Sequence, residues 1–282
     1  MNFYIVIPAH NEEAFISKTL QSLTEQTLLP KQIVVVNDHS TDNTQQIIDS
    51  FSKQFSFIDS IEIRSEEKHA PGSKIIHAFY KGLETLDTNY DVLCKFDSDL
   101  IFPSNYLEQL SKTFRENPRC GMAGGFCYID KNGNWELENL TNKDHIRGAL
   151  KAYRKECFEQ IGGLKKAMGW DTVDELLAQY YQWSVNTLEN LHVKHLKPTG
   201  LNYKKQAGLK QGEAFYRLRY GKTLTRIAAL KLALKRKKWA YYFECMKGFA
   251  KSKKNKIPFL VNETEGSFIR ALRWRGIKKK LF

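Results

Sequence analysis

Short apolar runs alternate with helical patterns over the first hundred residues of the chain. The run NFYIVIP ends at Pro8, and KQIVVVND is aliphatic and β-branched, as in a strand buried on both faces. Between such runs, apolar residues such as Ile47 and Phe51 recur at helical spacing. This alternation predicts βαβ units and an α/β fold with a mainly parallel sheet flanked by helices.

Polar clusters follow directly after three of the predicted strands. They are Pro8-Ala9-His10-Asn11, Asn37-Asp38-His39 and Asp97-Ser98-Asp99. In open α/β sheets, ligands bind at the carboxyl ends of the strands. The three clusters therefore predict a ligand site at one edge of one sheet, without reference to any family.

Charge divides the chain of 282 residues, whose net charge is +13, into two regions. Residues 201–282 contain 23 Lys and Arg but only four acidic residues, which leaves residues 1–200 with 21 basic and 27 acidic residues. The segments beyond residue 200 are helical in pattern. We therefore expect a slightly acidic domain at 1–200 and a basic helical region at 201–282, which meet different partners.

Composition also bears on the location of the protein. No run approaches the roughly 18 apolar residues of a membrane span, and the apolar run at the start is too short for a secretory signal. The five cysteines contain no CxxC pair, which favours reduced thiols over disulfides or a zinc site. We expect a cytoplasmic protein that contacts the inner face of the plasma membrane peripherally.

Two aspartates stand at the tip of the predicted strand VLCKFD. Residues i and i+2 of a strand point to the same side, so Asp97 and Asp99 can face one point. Paired carboxylate oxygens suit Mg²⁺ or Mn²⁺, which commonly also bind substrate phosphates. The alternative is a turn in which an aspartate caps the helix that follows Pro103. Asp38 likewise has two interpretations: it caps a helix, or it accepts hydrogen bonds from the edge of a nucleotide base.

Six motifs in order resemble the family 2 glycosyltransferases of GT-A fold: IPAHNEEAFISKTLQSL, QIVVVNDHSTDNT, GSKIIHAFYKG, FDSDLIFP, IGGL and GWDTVDELLA. The resemblance covers roughly residues 1–200 and implies that they are a GT-A catalytic domain. It implies a nucleotide-diphospho-sugar donor (a UDP- or GDP-sugar), a divalent cation (Mn²⁺ or Mg²⁺) and inversion at the anomeric carbon. It also implies a glycan or lipid-linked acceptor, in the synthesis of cell-surface polysaccharide or glycolipid.

The resemblance also assigns roles to individual residues. It places the donor on Pro8, His10, Asn11, Glu12, Asp38, Gly72, Ser73, Lys74, Asp97 and Ser98. Within this set, the first four line the nucleoside pocket, Asp38 contacts the base, and residues 72–74 approach the ribose and phosphates. The cation is assigned to Asp97, Asp99 and His195, although a lone histidine such as His195 is more often structural.

The motif GWDTVDE matches the place where the family keeps its catalytic base, and alignment on the following helix puts the base at Asp174. An acceptor hydroxyl must lose its proton as it attacks the sugar, and a carboxylate can accept that proton. Asp171 and Glu175 are rivals, and Val173 stands where the family has a glutamate. Alternatively, Asp171 and Thr172 simply cap a helix. Trp170 packs either on a sugar face or in the core.

The basic region mixes apolar residues at helical spacing with lysines and arginines, followed by Trp239 and Phe243. Such helices suit an anionic membrane surface. The alternative is an amphipathic pair that packs on the catalytic domain, and no nucleic-acid motif is present. We therefore predict a metal-dependent inverting glycosyltransferase. The alternatives are a sugar nucleotidyltransferase and a non-catalytic membrane or nucleic-acid binding module.

Overall fold

The computed structural model describes residues 1–65, 73–138, 143–197 and 207–281. The chain forms two compact units, one of Met1–Lys166 with Trp170–Pro198 and the other of Ala167–Gly169 with Thr199–Phe282. Gly72, one of the predicted donor-site residues, lies outside the described residues. The assignment of catalysis to residues 1–200 stays a prediction.

The strands of the described residues all belong to the first unit: β1 (Phe3–Ala9), β2 (Gln32–Asp38), β3 (Ile58–Ile63), β4 (Val92–Phe96), β5 (Leu100–Ile101), β6 (Cys120–Lys131), β7 (Asn134–Leu137), β8 (Leu150–Arg154) and β9 (Ser184–His195). The helices of that unit are α1 (Ile16–Thr24), α2 (Thr44–Gln54), α3 (Ser73–Leu83), α4 (Tyr106–Glu116), α5 (Lys155–Gln160) and α6 (Trp170–Tyr180). The second unit contains α7 (Ala207–Arg217), α8 (Gly221–Lys235), α9 (Trp239–Lys254) and α10 (Glu263–Leu281).

The strands form one sheet in the order β3-β2-β1-β4-β8-β6-β9-β5, with β7 paired to β6. Strands β3, β2, β1 and β4 are parallel, as the βαβ pattern predicts, while β8 joins β4 in antiparallel orientation. The expected α/β fold is confirmed. The parallel block brings the carboxyl ends of β1, β2 and β4 to one edge, where the three polar clusters lie.

The core of the sheet explains why its strands read as continuous apolar runs. Every residue of β1 and β4 is buried, because helices cover both faces of the parallel block. Two lysines are buried in this core, Lys95 in β4 and Lys151 in β8. The antiparallel register places them directly opposite each other, so two cations share the centre of the sheet.

The second unit is helical, and α7 and α9 pack very closely in it. A Cβ at Gly212 would lie 1.9 Å from the main-chain oxygen of Cys245, and one at Gly248 would lie 2.0 Å from that of Leu209. Only glycine permits backbones to approach so closely. None of the described helices combines the length and the apolar character that crossing a bilayer requires.

Candidate active site

Two loops at the carboxyl ends of β1 and β2 are joined by hydrogen bonds. The amide of Asn11 donates to Ser40 Oγ (2.9 Å), and Asn11 Oδ1 accepts from the amide of Thr41 (2.8 Å). The amide of Glu12 donates to Thr44 Oγ1 at 2.8 Å. Asn11 has a φ of 54°, a left-handed conformation that asparagine tolerates better than most residues. The loops thus form one connected wall beside the strand ends.

Asp38 and His10 meet at this wall. His10 Nδ1 lies 2.6 Å from the main-chain oxygen of Asp38, and the imidazole ring is exposed. The carboxylate of Asp38 accepts a hydrogen bond from the amide of Ser65 through Oδ1 (2.8 Å). Both side chains therefore lie at the predicted edge of the sheet, while Pro8 is buried within β1. Their contacts with a nucleoside stay predictions.

Helix α3 begins at Ser73, after β3 and therefore at the same edge of the parallel block. Lys74, in its first turn, is half-buried. The amino terminus of a helix carries partial positive charge and unpaired amides, which favour phosphate. This position agrees with the predicted approach of Ser73 and Lys74 to a diphosphate, and that role stays a prediction.

Helix α1 and the loop before β8 hold the turn that contains Asp97 and Asp99. Thr19 Oγ1 donates to the main-chain oxygen of Ser98 (2.7 Å), and the amide of Asp97 donates to the main-chain oxygen of Ala149 (2.8 Å). The side chain of Ser98 is buried, so its contribution to the turn is through the backbone. The turn is thus fixed in place before any ligand binds.

The pairing of β5 with β9 brings His195 beside Asp99. Leu100 is the register partner of His195, and the amide of Leu196 donates to the main-chain oxygen of Asp99 (2.9 Å). His195 Nε2 lies 3.4 Å from Asp99 Oδ2, and Nδ1 lies 2.9 Å from Glu138 Oε2. Burial alone would lower the pKa of His195, but its hydrogen bonds to Asp99 and Glu138 raise that pKa to about 9.

Two buried carboxylate oxygens and the ring of His195 are candidate ligands for a divalent cation. Asp99 Oδ1 and Glu12 Oε2 are both buried and have no hydrogen-bond partner among the described residues. Burial raises the pKa of Glu12, and the carboxylates of Asp97 and Asp99 add to this effect, against the opposing Lys197. A metal-binding histidine usually directs its second nitrogen to a carboxylate, as His195 does to Glu138. The arrangement fits a hard cation.

A second group of potential ligands overlaps this site. Ligand atoms of Cys127, Glu138 and His195 all lie within 4.8 Å of one another. Burial raises the pKa of the Cys127 thiol to about 12, so the thiolate needed for a metal bond is disfavoured. Glu138 already forms an ion pair with Arg147 at 2.8 Å. These contacts favour the Asp99 side of His195 for a cation.

Asp174, the predicted base, is 1% exposed. Its Oδ1 accepts from Lys151 Nζ at 2.7 Å, and its Oδ2 accepts from the hydroxyl of Tyr153 at 2.5 Å. Burial raises the pKa of Asp174 to about 6, against the opposing charge of Lys151. Both oxygens are therefore engaged inside the protein, and this geometry does not suit a base that must reach an acceptor hydroxyl.

Asp171 is the second residue of the same helix, and its side chain is 30% exposed. Burial tends to raise its pKa, but the hydrogen bond from His145 and the charge of Lys151 bring that pKa below the usual value. His145 also lies 2.8 Å from Glu175, which is itself buried and accepts from the amide of Ile146. Of the three carboxylates in the motif, Asp171 is therefore the most exposed, and its lowered pKa favours the ionised form.

Buried lysines connect the Asp97 turn with the start of α6. Lys95 Nζ donates to Asp97 Oδ1 and lies 5.4 Å from the centre of the Trp170 ring. Lys151 Nζ lies 5.8 Å from the same ring and donates to the main-chain oxygen of Asp171. Trp170 is buried, so its ring packs on lysines in the core. Side chains that are far apart in the sequence thus form one continuous layer.

This layer of lysines is not among the features predicted from the sequence. The signal was present, because Lys95 interrupts the apolar run VLCKF and Lys151 interrupts LKAYR. A lysine is almost never fully buried unless it is paired. A lysine within an apparently buried strand therefore predicts a carboxylate nearby, and here the carboxylates are Asp97 and Asp174. His145 carries no comparable pattern in the sequence.

Residues 4–167 match the sequence profile of glycosyl transferase family 2. This match covers more than half of the chain, so the chain belongs to glycosyl transferase family 2, and the predicted family is confirmed. The chain is 28% identical over 164 residues to a poly-beta-1,6-N-acetyl-D-glucosamine synthase of Staphylococcus epidermidis, a match that covers 57% of this chain and 34% of the relative. The chain spans about half the length of the curated relatives it matches.

Two solved structures show the same fold. The mannosyltransferase PcManGT from Pyrobaculum calidifontis, in complex with GDP-Man and Mn²⁺, has a TM-score of 0.60 at 16% identity, covering 100% of this chain and 81% of that chain. S. aureus TarS 1–349, in complex with UDP-GlcNAc, has a TM-score of 0.58 at 18% identity, covering 83% of this chain and 67% of that chain. The expected GT-A fold is thereby confirmed.

Proposed function

We propose that the protein transfers a sugar from a nucleotide-diphospho-sugar to an acceptor hydroxyl, with inversion and with a divalent cation. One observation carries this proposal: a partly exposed, ionised carboxylate, Asp171, is joined through buried lysines and Trp170 to the aspartate turn of a family 2 fold. The donor complexes of the two similar structures support a UDP- or GDP-sugar.

The donor side of the site is the wall formed by the loops after β1 and β2, together with the start of α3. Asp38 and His10 face the nucleoside, and the amino terminus of α3 with Lys74 faces the diphosphate. Asp99 and His195 hold the cation, with Asp97 beside them. The cation, when bound, neutralises charge on the departing nucleoside diphosphate.

The acceptor side is the start of α6. Asp171 accepts the proton of the acceptor hydroxyl as that oxygen attacks the anomeric carbon. His145 holds the carboxylate in place, since its Nε2 lies 3.6 Å from Asp171 Oδ2 and its Nδ1 is fixed by Glu175. Because the base acts on the side of the sugar opposite to the leaving diphosphate, the anomeric configuration inverts.

The acceptor is a glycan or a lipid-linked glycan of the cell surface. The support is the named product of a relative, since poly-beta-1,6-N-acetyl-D-glucosamine is a sugar polymer. A screen of nucleotide sugars by thermal shift, with and without Mn²⁺, identifies the donor base and sugar. Radiolabelled transfer from that donor to glycan and lipid-linked acceptors then identifies the acceptor.

Substitution of single carboxylates tests the base. Asp171→Asn lowers sugar transfer by roughly 10²–10⁴-fold and leaves donor binding intact, because only the proton acceptor is lost. Asp144→Asn removes the same charge from an exposed neighbouring residue and leaves transfer unchanged. If the folded Asp171→Asn variant transfers sugar at the normal rate while the folded Asp174→Asn variant does not, the base is Asp174, and the assignment of the base to Asp171 is wrong.

A further inference from the structure

Helix α8 exposes an apolar stripe instead of burying it. Ile227, Leu230 and Leu234 are spaced three and four residues apart, which places them on one face of the helix. All three side chains are exposed, while the opposite face, with Thr225, Ala229 and Ala233, is buried. The stripe is therefore not the one with which α8 packs into the helical unit.

Helix α9 continues this pattern with two aromatic side chains. Trp239 and Phe243 are four residues apart on one face and are 62% and 66% exposed. Tyr241 and Cys245, on the other face, are buried against α8. Residues 236–238 join the two helices, so Leu234 and Trp239 stand on either side of one short turn.

The concentration of these side chains is unusual. Single exposed apolar side chains are normal on any protein, whereas groups of them mark binding surfaces. In the described part of the first unit, the large apolar side chains that are exposed are Leu29 and Trp135, far apart in the chain. Here five such side chains fall within 17 residues of one helical hairpin: Ile227, Leu230, Leu234, Trp239 and Phe243. We call these five the hairpin surface.

The charges around the hairpin surface determine which partner it fits. Residues 221–254 contain 11 lysines and arginines and a single acidic residue, Glu244. Lys231 and Lys235 are exposed on α8 beside the apolar stripe, and the turn itself is Arg236-Lys237-Lys238. Aromatic rings favour the boundary between headgroups and acyl chains, and long cationic side chains reach the phosphates above it. This combination is complementary to an anionic bilayer surface.

We infer that α8 and α9 lie on an anionic membrane, with the hairpin surface at the headgroup–acyl boundary and the surrounding cations against lipid phosphates. This membrane contact does not depend on the proposed sugar transfer, because it rests only on the exposure and charge of the helical unit.

Vesicle flotation of the full chain tests the inference. The wild-type chain floats with vesicles of one part phosphatidylglycerol to two parts phosphatidylcholine, remains at the bottom with phosphatidylcholine alone, and is released by high salt because the attraction is screened. Trp239→Ser combined with Phe243→Ser lowers partitioning more than about tenfold, since two large apolar side chains are lost from the boundary. Leu29→Ser combined with Trp135→Ser is the matched control and floats like wild type.

Charge reversal provides a second arm. Lys231→Glu combined with Lys235→Glu abolishes flotation, whereas Lys18→Glu combined with Lys53→Glu, on exposed lysines of the first unit, does not. Equal behaviour of either variant and its control overturns the inference, as does wild-type protein that ignores anionic vesicles. A wild-type dimer that becomes monomeric in the aromatic variant, without vesicle binding, identifies a second copy as the partner. Donor hydrolysis in the absence of vesicles stays unchanged in every variant, which separates this test from that of the transfer reaction.

Discussion

Lys151 is the most consequential single side chain in the layer beneath the site. It is fully buried, and its Nζ lies 2.7 Å from Asp174 and 3.2 Å from Glu175. Lys151→Met keeps most of the side-chain length and removes the charge. Asp174 and Glu175 then lose this cation, although Glu175 keeps His145 at 2.8 Å, and the first turn of α6 loses the donor that holds the main-chain oxygen of Asp171.

The magnitude follows from the geometry of the pair. At an effective dielectric constant of about 20, two unit charges at the 2.7 Å of this pair attract each other by roughly 6 kcal/mol. Desolvation of both groups opposes much of this attraction, and removal of one partner from a buried pair costs about 3–5 kcal/mol. For a unit of this size, such a loss lowers the melting temperature by roughly 10 °C. Asp174 then becomes protonated more readily, which limits the loss.

The assay measures the urea-induced unfolding of the first unit at pH 7.5 and pH 5, with near-ultraviolet circular dichroism as the signal. At pH 5 the remaining carboxylates are partly neutralised, because burial already raises the pKa of Asp174 to about 6. The difference between variant and wild type is therefore smaller at pH 5 than at pH 7.5. Lys112→Met, at a lysine that is 65% exposed, is the control and changes stability by less than about 0.5 kcal/mol.

Two results would refute this reasoning about Lys151. One is a loss of unfolding free energy below about 1 kcal/mol at pH 7.5, which would mean that the carboxylates find solvent or other partners. The other is a loss that is the same at both pH values. The double variant Lys151→Met with Asp174→Asn adds a further check. It is less destabilised than the sum of the single variants, because one of the uncompensated charges is absent.

Three other predictions concern single residues. Burial lowers the pKa of His145, but its hydrogen bonds to Asp171 and Glu175 raise that pKa to about 9, so its contribution to stability is complete below about pH 6.5 and is lost as the pH rises through 9. In His145→Gln, the stability lost over this pH range is smaller than in the wild-type protein by up to about 3 kcal/mol, as measured by thermal unfolding. An unchanged pH profile would contradict the prediction. Asp99→Asn abolishes the rise in melting temperature that Mn²⁺ produces in the wild-type protein, and a variant that Mn²⁺ still stabilises equally would exclude Asp99 as a ligand. Gly248→Ala destabilises the helical unit by about 1–3 kcal/mol in urea unfolding, because the added Cβ would lie 2.0 Å from a main-chain oxygen of α7. A variant as stable as the wild-type protein would show that the two helices can move apart without cost.

Local patterns in the sequence were sufficient to predict the class of fold and the edge of the sheet that carries the site. Strand and helix periodicities depend on neighbouring residues, and parallel strands place their carboxyl ends together whatever their order in the sheet. The polar clusters that end at Asn11, His39 and Asp99 therefore lie where the sequence predicts. The cytoplasmic location and the nucleoside contacts stay predictions.

The choice among the carboxylates of GWDTVDE depended on the tertiary structure. Spacing on a helix places Asp174 in the first turn, but it cannot show that Lys151 and Tyr153 of β8 engage both of its oxygens. Asp171, three residues earlier on the same face of the helix, keeps 30% of its side chain exposed, whereas Asp174 is fully buried. The engagement of Asp174 is therefore decided by a strand that the motif does not contain, and the choice of Asp171 as the base stays a proposal.

The sequence by itself determined the α/β architecture, the family and the strand ends at which the polar clusters lie, because each of these follows from order and spacing along the chain. The tertiary structure alone decided that His195 reaches Asp99, through the pairing of β5 with β9, and that Lys95 and Lys151 lie side by side. Strand pairing joins residues across any separation, and the same packing decides that Asp174 is fully buried while Asp171 keeps part of its side chain exposed.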